Sequence, residues 1–187
     1  GRLEGGTKIT IIGEPTVETQ GQTFASRFAE GVVVRIGEKE ANKITIQSDH
    51  IITAITPSNN PGPKPVTVVN PDGSRDIFDN KFTYNPLPTI TSVRPDNGRL
   101  DGRTRIEIIG KGFLQGATVQ MVTGINFSEA LSVEVISNEL IVAITPSSNS
   151  QPGLVDIRVT NPDRQRTLYE NGFTYNPLPV ISKITPS

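Results

Sequence analysis

Val155-Asp156-Ile157-Arg158-Val159-Thr160-Asn161-Pro162-Asp163 is the stretch on which the fold class turns. Apolar Val155, Ile157 and Val159 alternate with polar Asp156, Arg158 and Thr160, which is the period of a strand with one buried face and one wet face. Asn161-Pro162-Asp163 then ends the run, because proline presets its own φ and a carboxylate can bond the backbone two residues on. The same turn and the strand beyond it are written twice. Asn70-Pro71-Asp72 through Phe82-Thr83-Tyr84-Asn85-Pro86-Leu87-Pro88 returns as Asn161-Pro162-Asp163 through Phe173-Thr174-Tyr175-Asn176-Pro177-Leu178-Pro179, displaced by 91. Duplication of this kind marks modules in series.

Two more stretches repeat at other offsets, which locates the loops that differ in length. Gly1 to Gly13 matches Gly98 to Gly110 at 97, and Ala54-Ile55-Thr56-Pro57-Ser58 matches Ala143-Ile144-Thr145-Pro146-Ser147 at 89. Gly13 to Pro57 spans 44 positions against 36 from Gly110 to Pro146, so the first copy carries eight more residues there. The excess is expected in an elaborated loop over residues 14–31. The 187 residues then divide into two modules of about ninety, each near the lower end of comfortable independent folding.

Composition removes several classes of function. The formal charge is −1, with 18 Lys and Arg against 19 Asp and Glu and no basic run, so nothing marks a groove for a polyanion. There is no cysteine, which excludes a disulfide scaffold and thiolate metal sites. No segment approaches the run of about 18 apolar residues that crosses a bilayer as a helix.

Short alternating runs recur between turn signals. Ile9 and Ile11 alternate with polar neighbours, as do Ile106 and Ile108; Pro61-Gly62-Pro63, Asn70-Pro71-Asp72-Gly73 and Pro152-Gly153 punctuate the chain. This pattern predicts an antiparallel sandwich and excludes βαβ units. Only Phe24 to Glu30 and Phe127 to Leu131 read as helix-like, each a turn or two inside a loop. The expected boundaries are residues 1–86 for a first module lacking its opening strand, 87–177 for a second, and 178–187 for the opening strand of a third. The prolines of Asn85-Pro86-Leu87-Pro88 stiffen the joint.

Taken in order, the runs Gly-x-Thr-x-Ile-x-Ile-x-Gly, Thr-Pro, Val-x-Val-x-Asn-Pro-Asp-Gly and Phe-Thr-Tyr resemble the IPT/TIG family of immunoglobulin-like domains. The second copy carries Gly102, Thr104, Ile106, Ile108 and Gly110, then Lys111-Gly112-Phe113, Thr145-Pro146, Asn161-Pro162-Asp163 and Phe173-Thr174-Tyr175. The first copy matches at both ends but has Glu14-Pro15-Thr16 where the second has the Gly-Phe step. The resemblance implies an all-β fold of two tandem early-set sandwiches, and a non-catalytic structural or interaction module of a larger bacterial surface or secreted protein. On that reading it spaces other domains, presents loops for protein binding, and lies outside the cell or at its surface. Two alternatives travel with it: a carbohydrate-binding accessory module of a polysaccharide-active protein, and a dimerisation module of a transcription-factor-like protein.

The shared residues are core and turn positions, so the resemblance supplies no site. The single histidine, His50, aligns with Glu139 and lacks a second base for nucleophilic chemistry or a zinc set, so no catalytic residue, cofactor or metal is expected. Asp72 and Asp163 invite a calcium reading, but a turn role explains them better; Arg164 in place of Gly73 suggests that the second copy does not need positive φ there. Phe82, Tyr84, Phe173 and Tyr175 alternate along a terminal strand and are read as core. Phe24, Phe28 and Phe127 have no evident counterpart in the other copy and are the candidate partner contacts. Pro179-Val180-Ile181-Ser182-Lys183-Ile184-Thr185-Pro186 repeats the pattern of Pro88 to Pro95, from which a weak head-to-tail self-association through the C-terminal strand is expected.

Overall fold

The computed structural model describes all residues except Pro15, Ser26, Ser150, Pro186 and Ser187, and the side chains of 16–19, 23–25 and Asn80 also lie outside the description. The chain divides into two compact units, Gly1–Pro86 and Leu87–Ser187. Both are all-β, with no helix among the described residues.

The first unit contains β1 (Lys8–Ile12), β2 (Thr16–Thr19), β3 (Gln22–Ala25), β4 (Val33–Ile36), β5 (Lys39–Glu40), β6 (Asn42–Ser48), β7 (Ile51–Ile55), β8 (Gly62–Val69) and β9 (Arg75–Tyr84). One sheet runs β1-β7-β6, the other β5-β4-β8-β9, and β2-β3 is a separate hairpin. The second unit contains β10 (Thr89–Arg94), β11 (Asn97–Gly98), β12 (Arg105–Lys111), β13 (Thr118–Thr123), β14 (Asn126–Glu129), β15 (Ser132–Ser137), β16 (Leu140–Ile144), β17 (Gly153–Thr160) and β18 (Arg166–Tyr175). Its sheets run β10-β12-β16-β15 and β11-β18-β17-β13-β14. The pairing is antiparallel except between β11 and β18. The two segments read as helix-like begin in strands and contain no helix among the described residues: Phe24 lies near the end of β3 and Phe127 in β14. Short polar-aromatic runs fit either period, and here pairing with β2 and β13 decides.

Alternation in the strands becomes a two-faced sandwich. Ile106 and Ile108 of β12 and Ile141 of β16 meet Val119, Ile157, Val159 and Phe173 from the facing sheet, all fully buried. Phe173 and Tyr175 meet edge to face at 5.1 Å between ring centroids, and Phe82 and Tyr84 repeat the contact at 4.9 Å. The Thr-Pro step locks the end of each sandwich. Buried Thr145 accepts the Thr104 amide through Oγ1 at 3.1 Å, and the Pro146 carbonyl accepts the Tyr175 hydroxyl at 2.7 Å. Thr56, Thr7, Pro57 and Tyr84 make the same pair of bonds in the first unit.

The units differ in how fully their cores are covered. Fifteen buried apolar residues form the second core among the described residues, against eight in the first. Ile9 and Ile11 are only half-buried where Ile106 and Ile108 are sealed, and β1 is the edge of its sheet where β12 is covered by β10.

Candidate interaction surfaces

Three aromatic residues were singled out in sequence, and the structure separates them. Phe24 has backbone in β3 paired with Val17, but its side chain lies outside the described residues. Phe28 has a counterpart after all. Its amide donates to the Asp49 carbonyl at 2.6 Å as that of Phe113 donates to Asn138 at 3.1 Å, and an ideal Cβ on Gly13 would meet its ring as one on Gly110 meets that of Phe113. The Gly-Phe step is therefore present in the first copy, displaced by the β2-β3 hairpin. Phe28 is half-buried against the first core, where Phe113 is fully enclosed in the second.

Phe127 is a surface residue. It pairs with Val122 across the β13-β14 hairpin and is 55% exposed. The Arg158 guanidinium sits 5.1 Å from its ring centroid, a cation–π contact that covers one ring face. Arg158 is held there in turn: its Nε donates to Gln120 Oε1 at 2.6 Å, and Gln120 Nε2 donates to Glu129. Below the ring runs a cleft of about 430 Å³ lined by Ser147, Ser148, Asn149, Gln151 and exposed Leu154. The cleft thus combines a fixed aromatic edge with hydroxyl and amide groups. Leu154 was legible as the outward neighbour of Val155.

A second, more apolar concavity lies on the first unit beside the edge strand β1. It encloses about 710 Å³ and is lined by Ile9, Ile11, Ile12, Phe28, Phe78 and Phe82 among others. Phe78, at 60% exposure, corresponds through the displacement of 91 to Tyr169, which is partly buried against the second core. That correspondence is the sequence signal that points to Phe78.

The remaining candidates are turns. Asp72 Oδ1 accepts the Ser74 amide at 2.8 Å and its hydroxyl at 2.6 Å, which holds the carboxyl below the usual carboxylate range. Asp163 accepts the Gln165 amide at 3.1 Å in the same manner. Positive φ is used in both copies: Gly73 lies at 85° and Arg164 at 69°, so the second copy does adopt this backbone and places an arginine in it. His50 Nδ1 lies 2.7 Å from Asp49 Oδ1. The His50 hydrogen bond is the main cause, with Arg27 a lesser one, of a lowered Asp49 pKa. Among the described residues no group of three or more His, Cys, Asp or Glu converges to hold a metal ion.

Each unit thus repeats one scheme of core pair, Thr-Pro latch and Asn-Pro-Asp turn, and the model of the IPT/TIG domain matches residues 1–85 and again 88–175. The chain belongs to the IPT/TIG domain family. It is 27% identical over 194 aligned residues to plexin A3 of Danio rerio, covering all of this chain and 10% of that protein. It is 25% identical over 150 residues to fibrocystin-L of Homo sapiens, covering 80% of this chain and 3% of the relative. The chain therefore spans a tenth or less of the length of these curated relatives. In fold it is similar to the solved extracellular region of plexin A4, with a TM-score of 0.53 and 23% identity over 96% of this chain and 15% of that one. No helix among the described residues is long and apolar enough to cross a membrane.

Proposed function

We propose that this tandem of IPT/TIG domains is a non-catalytic interaction module in the extracellular part of a larger protein, binding a protein partner through a sheet face. The observation that carries the reading is the Phe127 face. A rigid hairpin presents an aromatic ring, braced from one side by Arg158, next to exposed Leu154, and the side chains around it bond one another in place of converging on a reactive centre. Phenylalanine is enriched at protein–protein interfaces and arginine at their hot spots, and here paired strands hold both before any partner arrives. The similarity to plexin A3 and to the plexin A4 extracellular region supports the placement outside the cell.

An array of extracellular proteins probed with the 187-residue chain and with Phe127→Ser is the test. A partner whose signal falls at least tenfold with Phe127→Ser supports the reading; partners that bind both equally overturn it. The hydroxyl and amide lining of the cleft favours a second reading, carbohydrate binding, for which a glycan array replaces the protein array and the same variant decides.

A further inference from the structure

Asn126-Phe127-Ser128 is the N-x-Ser pattern of an asparagine-glycosylation acceptor, and of the thirteen asparagines in the chain only Asn126 has Ser or Thr two positions on. A three-residue pattern recurs by chance; its place in the fold gives it weight. Gly124, at a φ of 60°, and Ile125, 97% exposed, make the two-residue loop between β13 and β14, and Asn126 opens the return strand opposite Thr123. Glycine at the first place of such a loop suits a type II′ hairpin. β14 ends its sheet, with no outer pairing among the described residues. Asn126 is exposed there, and its side-chain amide makes no hydrogen bond among the described residues. Asn59, Asn70, Asn97, Asn161 and Asn176 instead donate theirs to an oxygen. A bulky polar group added at Asn126 Nδ2 therefore displaces no contact.

The first unit shows what this position reaches. Its β4-β5 hairpin pairs Ile36 with Lys39 as β13-β14 pairs Thr123 with Asn126. Lys39 Nζ donates to the Ser58 carbonyl at 3.0 Å and Asn59 donates to the Ile36 carbonyl at 3.1 Å, so hairpin and facing loop are tied together. In the second unit Ser147 and Ser148 stand where Ser58 and Asn59 do, at the displacement of 89. Asn126 is shorter than lysine, and Ser148 turns its hydroxyl away to the Leu100 carbonyl at 3.2 Å. Between hairpin and loop lies the cleft of about 430 Å³, with Asn126 and Ser128 on one side and Ser147, Ser148, Asn149 and Gln151 on the other. Along β14 Asn126 and Ser128 share the face of buried Met121, which lies opposite Ser128, while Phe127 turns its ring to Arg158.

We propose that Asn126 is an N-glycosylation acceptor and that the first sugar it carries lies over the cleft, in the space that Lys39 and Asn59 close in the first unit. The hydroxyl and amide lining suits the hydroxyls of a sugar, and the other face of β14 keeps Phe127 open to a partner. The inference rests on the extracellular placement given under the proposed function, because the sugar donor is met on the secretory route. The transfer joins Asn126 Nδ2 to the anomeric carbon of a lipid pyrophosphate-linked oligosaccharide. That carbon's bond to the pyrophosphate oxygen breaks, the lipid pyrophosphate leaves with the bonding pair, and Nδ2 gives up one proton. Ser128 supplies the hydroxyl that completes the acceptor pattern. The first unit has Lys39-Glu40-Ala41 at the same place and takes no sugar.

The 187-residue chain, fused to a secretion signal and secreted from cultured animal cells, is the test, with intact mass read before and after an amidase that removes N-glycans and leaves aspartate. One glycan should be found, and peptide mapping should place the new aspartate at 126. Asn126→Gln and Ser128→Ala should each lose all of the added mass, and Ser128→Thr should keep it. Compared with the same chain made in bacteria, the glycosylated chain should show shifted amide resonances at Ser147, Ser148 and Asn149 and unmoved ones at Ser58 and Asn59. A folded, secreted chain with no added mass, or a glycan that survives Asn126→Gln, overturns the inference. A glycan at Asn126 that moves none of the three loop amides overturns its placement over the cleft. Phe127→Ser preserves the acceptor pattern, so the two readings separate. An unmodified chain that loses a partner with Phe127→Ser sinks this inference alone, and a glycosylated chain whose partners ignore Phe127→Ser sinks the proposed function alone.

Discussion

Phe28 and Phe113 occupy the same place in their two units, although one follows its sheet glycine by fifteen positions and the other by three. Fourteen residues separate Gly13 from Phe28 where two separate Gly110 from Phe113; the twelve extra include the β2-β3 hairpin, and the fold closes behind them onto the equivalent carbonyl. Replacing residues 14–27 by Lys-Gly should therefore leave the first unit folded, since the excision joins two points that the second unit already joins directly. Phe113→Ala should cost about 3–5 kcal/mol as a fully buried ring, and Phe28→Ala less because its site is partly open. Hydrogen exchange of the β7 and β16 amides reads the two units separately. A hairpin deletion that unfolds the first unit would show that β2 and β3 are structural.

Arg164 sits at a φ of 69° in the turn where Gly73 sits at 85°. A residue with a Cβ is strained in this region, whereas glycine enters it freely. Arg164→Gly should stabilise the second unit by about 0.5–1 kcal/mol, after allowance for the greater freedom of glycine in the unfolded chain. The converse change, Gly73→Arg, should weaken the first unit by a similar amount. Midpoints in urea give both signs, and a loss of stability in Arg164→Gly would mean that the arginine side chain contributes more than its backbone costs.

Much of this was legible in the residues, and the limits have physical causes. The alternation of Val155, Ile157 and Val159 names its own buried face, and the displacement of 91 places Tyr84 and Tyr175 in equivalent cores. Phe28 was misread because a fixed-offset comparison loses register across an insertion, while the backbone bond to Asp49 restores it. Arg164 was misread because positive φ is a property of the turn, which the flanking hydrogen bonds impose whatever residue stands there. The groove beside β1 needed three dimensions, since Ile11, Phe28 and Phe78 come together only once both sheets are assembled.

Asn161 and Asn70 serve the same loop in unequal surroundings. Asn161, nearly fully buried, accepts the Leu114 amide at 3.1 Å and donates to the Gly112 carbonyl at 2.8 Å. Asn70 accepts from Ala29 and donates to Arg27 in a more exposed setting. Truncation strands two backbone groups in each case, but both contacts of Asn70 are exposed, whereas the Gly112 contact of Asn161 is buried and the Leu114 contact part-buried. Asn161→Ala should cost on the order of 1–3 kcal/mol per stranded group and Asn70→Ala clearly less. Equal losses in thermal unfolding would show that solvent reaches the Gly112–Leu114 loop as well.

The phenol of Tyr175 is buried against Pro146, and burial, partly offset by Thr145, pushes its pKa up to about 12, while burial raises that of Tyr84 in the same direction. An unfolded tyrosine titrates near about 10, so the folded second unit holds its proton where the unfolded chain has lost it. The sign follows from that order. The stabilisation from keeping the phenol neutral is complete below about pH 10 and is lost as pH rises through about 12, because the native state must then ionise a group that donates to a carbonyl in a dry site. Denaturant midpoints between about pH 9 and 12 should fall for the second unit, and fall less steeply in Tyr175→Phe, which has no proton to lose. Tyr175→Phe should start lower at neutral pH by about 1–3 kcal/mol, since the Pro146 carbonyl is left unpaired. Phenolate absorbance in a Tyr84→Phe, Tyr169→Phe background follows the one remaining phenol directly. Its appearance near pH 10 in the folded protein would show that the Pro146 latch is open to water.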